Sequence, residues 1–268
     1  MLASVTIAGL SLRYFDAGGD GEAVVFQHGL AADHTQCCEV FAGVSGLRQI
    51  TLECRGHGAS ELGDASRLTI PALADDVLAL LDALGVERAW FAGISMGAAI
   101  VARLASLHPQ RVRGLMLVRP AWFDAPLPPN LWSLTAVAAL LERHPLAQAR
   151  ALFLASDSYR AIQADSPDNA AILLSLFDRP DPCALAAVLA RISCSDPGVD
   201  VAALGRLAVP VTIVANEQDP LHPLATAQRW AGALPAATFV RVPSRSVDRP
   251  RHYADIGASL QALCRAAV

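Results

Sequence analysis

The chain has 268 residues, 53% of them hydrophobic, and carries 21 basic against 25 acidic side chains, a formal net charge of −4. That length can bury a large core, and that charge excludes the basic field nucleic-acid binding needs. Its longest apolar stretches, such as Ser133 to Leu141, stop well short of the about 18 residues of a membrane span.

Other absences narrow the chemistry. All 21 basic residues are arginine, which removes mechanisms that need a lysine Schiff base, a pyridoxal phosphate anchor or a P-loop lysine. The six cysteines, Cys37, Cys38, Cys54, Cys183, Cys194 and Cys264, form no Cys-x-x-Cys pair and no zinc-type spacing with histidine. They read as reduced, mostly buried small apolar residues, and no metal or cofactor is expected. The N-terminus has no basic region before its apolar residues, so a cytoplasmic location is the expectation.

Val5 to Tyr14 alternates like a hairpin strand, and Glu22 to Gly29 and Arg48 to Gly58 read as buried strands. Thr69 to Val86 is an amphipathic helix with Asp75, Asp76 and Asp82 on its polar side. Arg88 to Ile94 is a buried strand, Met96 to Val112 a helix that exits at Pro109, and Arg113 to Trp122 another buried strand. From Trp122 to Leu204 only helical segments and proline-rich joints occur. Strand character returns at Val209 to Asp219, followed by a helix over Pro223 to Leu234, a strand over Ala237 to Pro243 and a last helix from about Tyr253 to Arg265. Strands separated by helices mean parallel pairing and a sheet covered on both faces. The expectation is an α/β fold, a mostly parallel doubly wound sheet formed by residues 1–121 and 205–268, with a helical cap inserted at 122–204.

The stretch Phe91 to Gly97, "FAGISMG", puts Ser95 on the corner between a buried strand and a helix. Such a corner strains its apex residue, and Gly93 and Gly97 leave room where a Cβ would collide with strand and helix. The plain alternative is a helix N-cap serine. Three further motifs accompany it: "FQHGLAAD" (Phe26 to Asp33), "ECRGHGASE" (Glu53 to Glu61) and "NEQDPLHP" (Asn216 to Pro223). Together and in this order they resemble the α/β-hydrolase superfamily over nearly the full length, with Glu53 where that family has aspartate and without its glycine-histidine pair after the last strand.

The resemblance implies Ser95 as nucleophile, with a base in hydrogen-bond reach and a carboxylate to orient it. Asp219, just past a strand and before a proline-led turn, is favoured as the acid over Glu217 and Asp124. His252, beyond the last strand and ahead of the final helix, is favoured as the base over His222. The backbone amides of Leu30 and Met96 are the implied oxyanion donors. His28 and His57 belong to the glycine-rich loops and are expected to hold loop structure; His34, His108 and His144 carry no motif. Possible substrate contacts are His28, Arg119, Trp122 and His222, and Arg119 could pair with an anionic group. The cap aromatics Trp122, Phe123, Trp132, Phe153, Tyr159 and Phe177 suit an apolar substrate or the cap's own core.

These features lead to the expectation of a cofactor-free hydrolase of a small or medium ester or lactone, a monomer or homodimer whose partner is a small molecule. The alternatives are carbon–carbon bond hydrolysis of a β-diketone-like compound, a cofactor-free dioxygenase, and a non-catalytic ligand-binding protein of the same fold.

Overall fold

The computed structural model describes residues 1–266. Eight strands form one sheet in the order β1-β2-β4-β3-β5-β6-β7-β8: β1 (Leu2–Ile7), β2 (Leu10–Asp16), β3 (Glu22–Gln27), β4 (Leu47–Leu52), β5 (Ala89–Ile94), β6 (Val112–Val118), β7 (Val211–Ala215) and β8 (Thr238–Arg241). The run that alternates in the sequence from Val5 is split by a turn at Ala8 and Gly9, both at positive φ, so that β1 and β2 pair antiparallel and β2 joins β4 antiparallel. The other pairings, β4-β3-β5-β6-β7-β8, are all parallel.

Period-2 alternation on the central strands builds two cores. Val24, Phe26, Trp90, Ala92, Ile94, Met116 and Val118 face α1 (His34–Phe41) and α11 (Arg249–Arg265). Val25, Phe91, Leu115 and Leu117 face the opposite way, into the core shared by α2 (Ile70–Ala83), α3 (Met96–Leu107) and α10 (Leu224–Ala233). The central strands are therefore apolar on both faces, as a parallel sheet covered by helices requires.

Between β6 and β7 the chain makes α4 (Trp132–Arg143), α5 (Leu146–Leu154), α6 (Asp157–Asp165), α7 (Pro167–Ser175), α8 (Pro182–Ser193) and α9 (Val201–Leu204). Phe153 packs edge-on with Tyr159 and tilted against Phe177 in the core of this helical layer, whereas Trp132 is exposed. The six cysteines are unpaired; Cys37, Cys54 and Cys264 are buried but Cys183 and Cys194 are exposed, so fewer are buried than their composition suggested.

The last helix starts earlier than expected. Asp248 caps it, its side chain accepting from the Arg251 amide at 3.0 Å, with Pro250 in the first turn, the arrangement that favours helix initiation. His252 consequently lies inside α11 rather than ahead of it.

Candidate active site

Backbone strain gathers at the C-terminal ends of the parallel strands. Of the non-glycine residues at positive φ, Ala31 follows β3, Ser95 follows β5, Arg119 follows β6 and Gln218 follows β7. Residues held in such wells cost of order 1–3 kcal/mol each and concentrate where function constrains the backbone. This is also the sheet edge at which open α/β folds bind ligands.

Ser95 has φ 57° and ψ −110°. Its amide donates to the Val118 carbonyl at 3.0 Å, and its own carbonyl accepts from Ala98 at 3.1 Å to open α3. The two flanking glycines are required by contact: a Cβ on Gly93 would stand 2.2 Å from the Gly97 carbonyl, and one on Gly97 would stand 2.2 Å from the Gln27 carbonyl. Although Ser95 occupies the N-cap position, its hydroxyl makes no capping bond. It faces a cavity of about 270 Å³ whose wall includes Gly29, Leu30, Ser95, Arg119, Leu131, Leu134, Ile172, Leu176, Leu221, His222 and Tyr253. The amides of Leu30 and Met96 have no acceptor among the described residues.

Asp219 sits buried behind this wall. Its Oδ2 accepts from Arg119 Nε at 2.7 Å, and its Oδ1 accepts from Asn169 Nδ2 at 2.7 Å and lies 2.8 Å from His222 Nδ1. Burial alone would raise this carboxyl, but Arg119, His222 and the Asn169 amide outweigh it and hold Asp219 well below the usual carboxylate range. The anionic Asp219 favours the His222 tautomer with its proton on Nδ1, which leaves Nε2 unprotonated; Arg119 Nη2 also lies 3.1 Å from Nδ1. His222 is itself shifted down, first by burial and then by Arg119, against the opposing pull of Asp219, so the ring is neutral at pH 7.

The structure corrects the pairing of Asp219 with His252. On α11, His252 is 1% exposed and its Nδ1 is engaged by the Pro243 carbonyl at 2.8 Å. It is not part of the cavity wall. Burial, reinforced by Arg119 and Arg245, lowers it to about 4. The earlier helix start is the physical reason, because it fixes His252 on the face of α11 that packs on the sheet. His222, three residues past the acid, occupies the position next to Asp219 instead.

Two further expected contacts are also corrected. His28 is fully buried, with Nδ1 2.8 Å from the Gly29 carbonyl and Nε2 accepting from the Cys54 amide at 3.1 Å, and it shapes the loop rather than the cavity. Trp122 is 1% exposed and its carbonyl accepts from Trp230 Nε1 at 2.9 Å; it too is core. None of the cap aromatics lines this wall, where Tyr253 is the one Phe, Tyr or Trp side chain among the described residues. Asn169, from the cap, and Arg245, after β8, carry no motif and went unrecognised in the sequence; both reach the site only through folding.

Glu53 fits where an aspartate was expected because its extra methylene lets Oε2 reach the Ala59 amide at 2.8 Å and Oε1 lie 2.6 Å from His34 Nδ1. Gly58, at φ 55°, makes the room: a Cβ there would stand 2.2 Å from the Glu53 carboxyl. The ligand atoms of Asp33, His34 and Glu53 lie within 4.8 Å of one another, but they are engaged with one another, with helix capping at Thr35 and with this loop.

Sequence comparison places the chain in a family. The family model described as alpha/beta hydrolase fold matches residues 22–245. The chain belongs to the α/β-hydrolase family. Among curated relatives, a putative carbamate hydrolase RutD of Pseudomonas savastanoi pv. phaseolicola is 32% identical over 192 residues, 69% of this chain and 70% of that protein. A dihydrolipoyllysine-residue acetyltransferase component of the acetoin cleaving system of Pseudomonas putida is 37% identical over 117 residues, 43% of this chain; the match spans only 31% of that longer protein. Among solved structures, the enol-lactonase of Burkholderia xenovorans LB400 superposes with a TM-score of 0.72 over 98% of both chains at 22% identity, a likeness of fold. No helix among the described residues is long and apolar enough to cross a membrane.

Proposed function

We propose that this α/β hydrolase cleaves a small ester or lactone through an acyl-enzyme on Ser95, with His222 as the base and Asp219 as its orienting acid. The observation that carries this reading is a strained serine whose hydroxyl is free of capping bonds, opening into the same small cavity as a neutral histidine held by a buried carboxylate. Ser95 Oγ attacks the carbonyl carbon while His222 Nε2 takes its proton. The amides of Leu30 and Met96 receive the developing oxyanion, each contributing about 2.7–4 kcal/mol. The imidazolium then gives its proton to the leaving oxygen as the ester bond breaks. A water repeats the sequence to release the acid. Relatives and neighbours named carbamate hydrolase and enol-lactonase support a carbonyl substrate of this kind, and a cavity of about 270 Å³, at the low end for ligand sites, suits a small one.

The test combines fluorophosphonate labelling, read by intact mass, with turnover of 4-nitrophenyl acetate and butyrate. The parent forms one adduct, and Ser95→Ala and His222→Gln each lose both the adduct and roughly 10³-fold or more of kcat. His252→Gln retains labelling; a loss confined to His252→Gln would return the base to His252. Turnover with oxygen consumption that survives Ser95→Ala would replace hydrolysis with cofactor-free oxygenation.

A further inference from the structure

The wall of the Ser95 cavity is unusually rich in guanidinium groups. Arg119, Arg179, Arg245 and Arg249 line it against the carboxylates of Asp33 and Glu39. Two of the four have full partners: Arg119 is bound to Asp219, and Arg249 to both oxygens of Glu39 at 2.7 and 3.0 Å. Asp33 is engaged as the cap of α1, accepting from the Thr35 amide at 2.9 Å.

Arg245 differs. It follows β8, and its side chain is only 11% exposed. A single hydrogen bond holds it, from Nη2 to Asp168 Oδ1 at 3.1 Å. Its Nε is buried with no partner at all, and Nη1 donates to nothing among the described residues. Buried donors left unpaired cost about 1–3 kcal/mol, and more where the group is charged; Nε is closed off from the cavity as it is from solvent, so the donor an entering acceptor can meet is the unpaired Nη1. Arg179, at the opposite side, has no carboxylate partner among the described residues and donates to the Ala31 carbonyl at 2.6 Å. The Tyr253 ring lies beside Arg245 and Arg249, with centroid distances of 5.9 and 5.4 Å, and offers an apolar face below the charges.

We propose that the substrate of this site is an ester or lactone whose acyl part ends in a carboxylate, and that Arg245 binds that carboxylate. The proposal rests on the hydrolytic reading of the same cavity. A planar carboxylate matches the donor fork of a guanidinium. One partly neutralised arginine in about 270 Å³ fits a monoanion better than a doubly charged phosphate. Arg119 is not the reader of this charge, because Asp219 already occupies it.

The experiment compares kcat/KM for mono-4-nitrophenyl glutarate and for neutral 4-nitrophenyl pentanoate. The parent prefers the anionic ester by roughly tenfold or more, the range of one charge-assisted hydrogen bond, and Arg245→Gln brings the ratio close to one by raising KM for the glutarate ester. Arg245→Lys, which keeps the charge, restores part of the preference. Asp168→Asn separates recognition from structure: it breaks the same ion pair but leaves the arginine, so the preference persists or grows. An indifferent parent, or an Asp168→Asn variant that loses the preference as Arg245→Gln does, overturns the proposal. If the parent turns over neither ester, the hydrolytic reading fails, and calorimetry with glutarate then decides the subsite alone. Binding that Arg245→Gln weakens roughly tenfold or more supports it, and no binding to the parent overturns it.

Discussion

Ser95 shows how much one residue can be asked to carry. At φ 57° and ψ −110° it sits where an L-residue is strained, and glycine would relieve that strain. Ser95→Gly is therefore expected to raise unfolding stability by about 1 kcal/mol in urea titration while abolishing turnover; Ser95→Ala abolishes turnover without that gain. Gly97→Ala has the opposite sign. Its Cβ would meet the backbone carbonyl of Gln27 at 2.2 Å, and a strand carbonyl cannot yield as a flexible side chain would. A loss of at least about 1–3 kcal/mol follows, checked by the shift in denaturant midpoint. Asp219→Asn leaves the Arg119 guanidinium, 6% exposed, without its counter-charge, which costs about 3–5 kcal/mol. Far-ultraviolet circular dichroism and urea titration separate that loss from the accompanying fall in kcat.

At the scale of the element, α11 decides which histidine stands at the site. Its N-cap, Asp248, and Pro250 place the helix start at Arg249. These signals were present in "SVDRPRH", but the apolar periodicity begins only at Tyr253 and masked them. Asp248→Ala is expected to cost about 1 kcal/mol, measured as a fall in melting temperature, with fraying confined to the first turn of α11 in amide exchange. The parallel strands were plain in the sequence for a different reason: burial on both faces makes their apolar runs continuous. The β1–β2 hairpin was legible only as one alternating hairpin strand from Val5 to Tyr14; the turn at Ala8 and Gly9 shifts the apolar phase from Val5 and Ile7 to Leu10 and Leu12, which pair across it on one face.

For the whole molecule, buried neutral histidines couple stability to pH. Burial, with His28 nearby, lowers His57 to about 3, and burial with the neighbouring arginines lowers His252 to about 4. Both titrate near 6.5 when unfolded, so the unfolded chain binds more protons below that value and stability must rise with pH. The contribution is complete above pH 6.5 and falls by about 1.4 kcal/mol per pH unit for each histidine as the pH drops toward 4. Melting temperatures between pH 7.5 and 4 check the sign. His57→Phe flattens the slope if the protein folds.

The sequence by itself determined the alternation of strand and helix, the strand-to-helix corner at Ser95 and the place of Asp219 just past a late strand, because each is written in a few adjacent residues whose local sterics and hydropathy suffice. Tertiary structure alone decided the partner of Asp219 and the character of the cavity. Arg119, Asn169, His222 and Arg245 come from the ends of β6, β7 and β8 and from the cap, and reach the site only when the sheet registers and the cap closes over them. Which of two histidines faces an acid depends on where a helix begins and which way its face turns, and that is set by packing on the sheet.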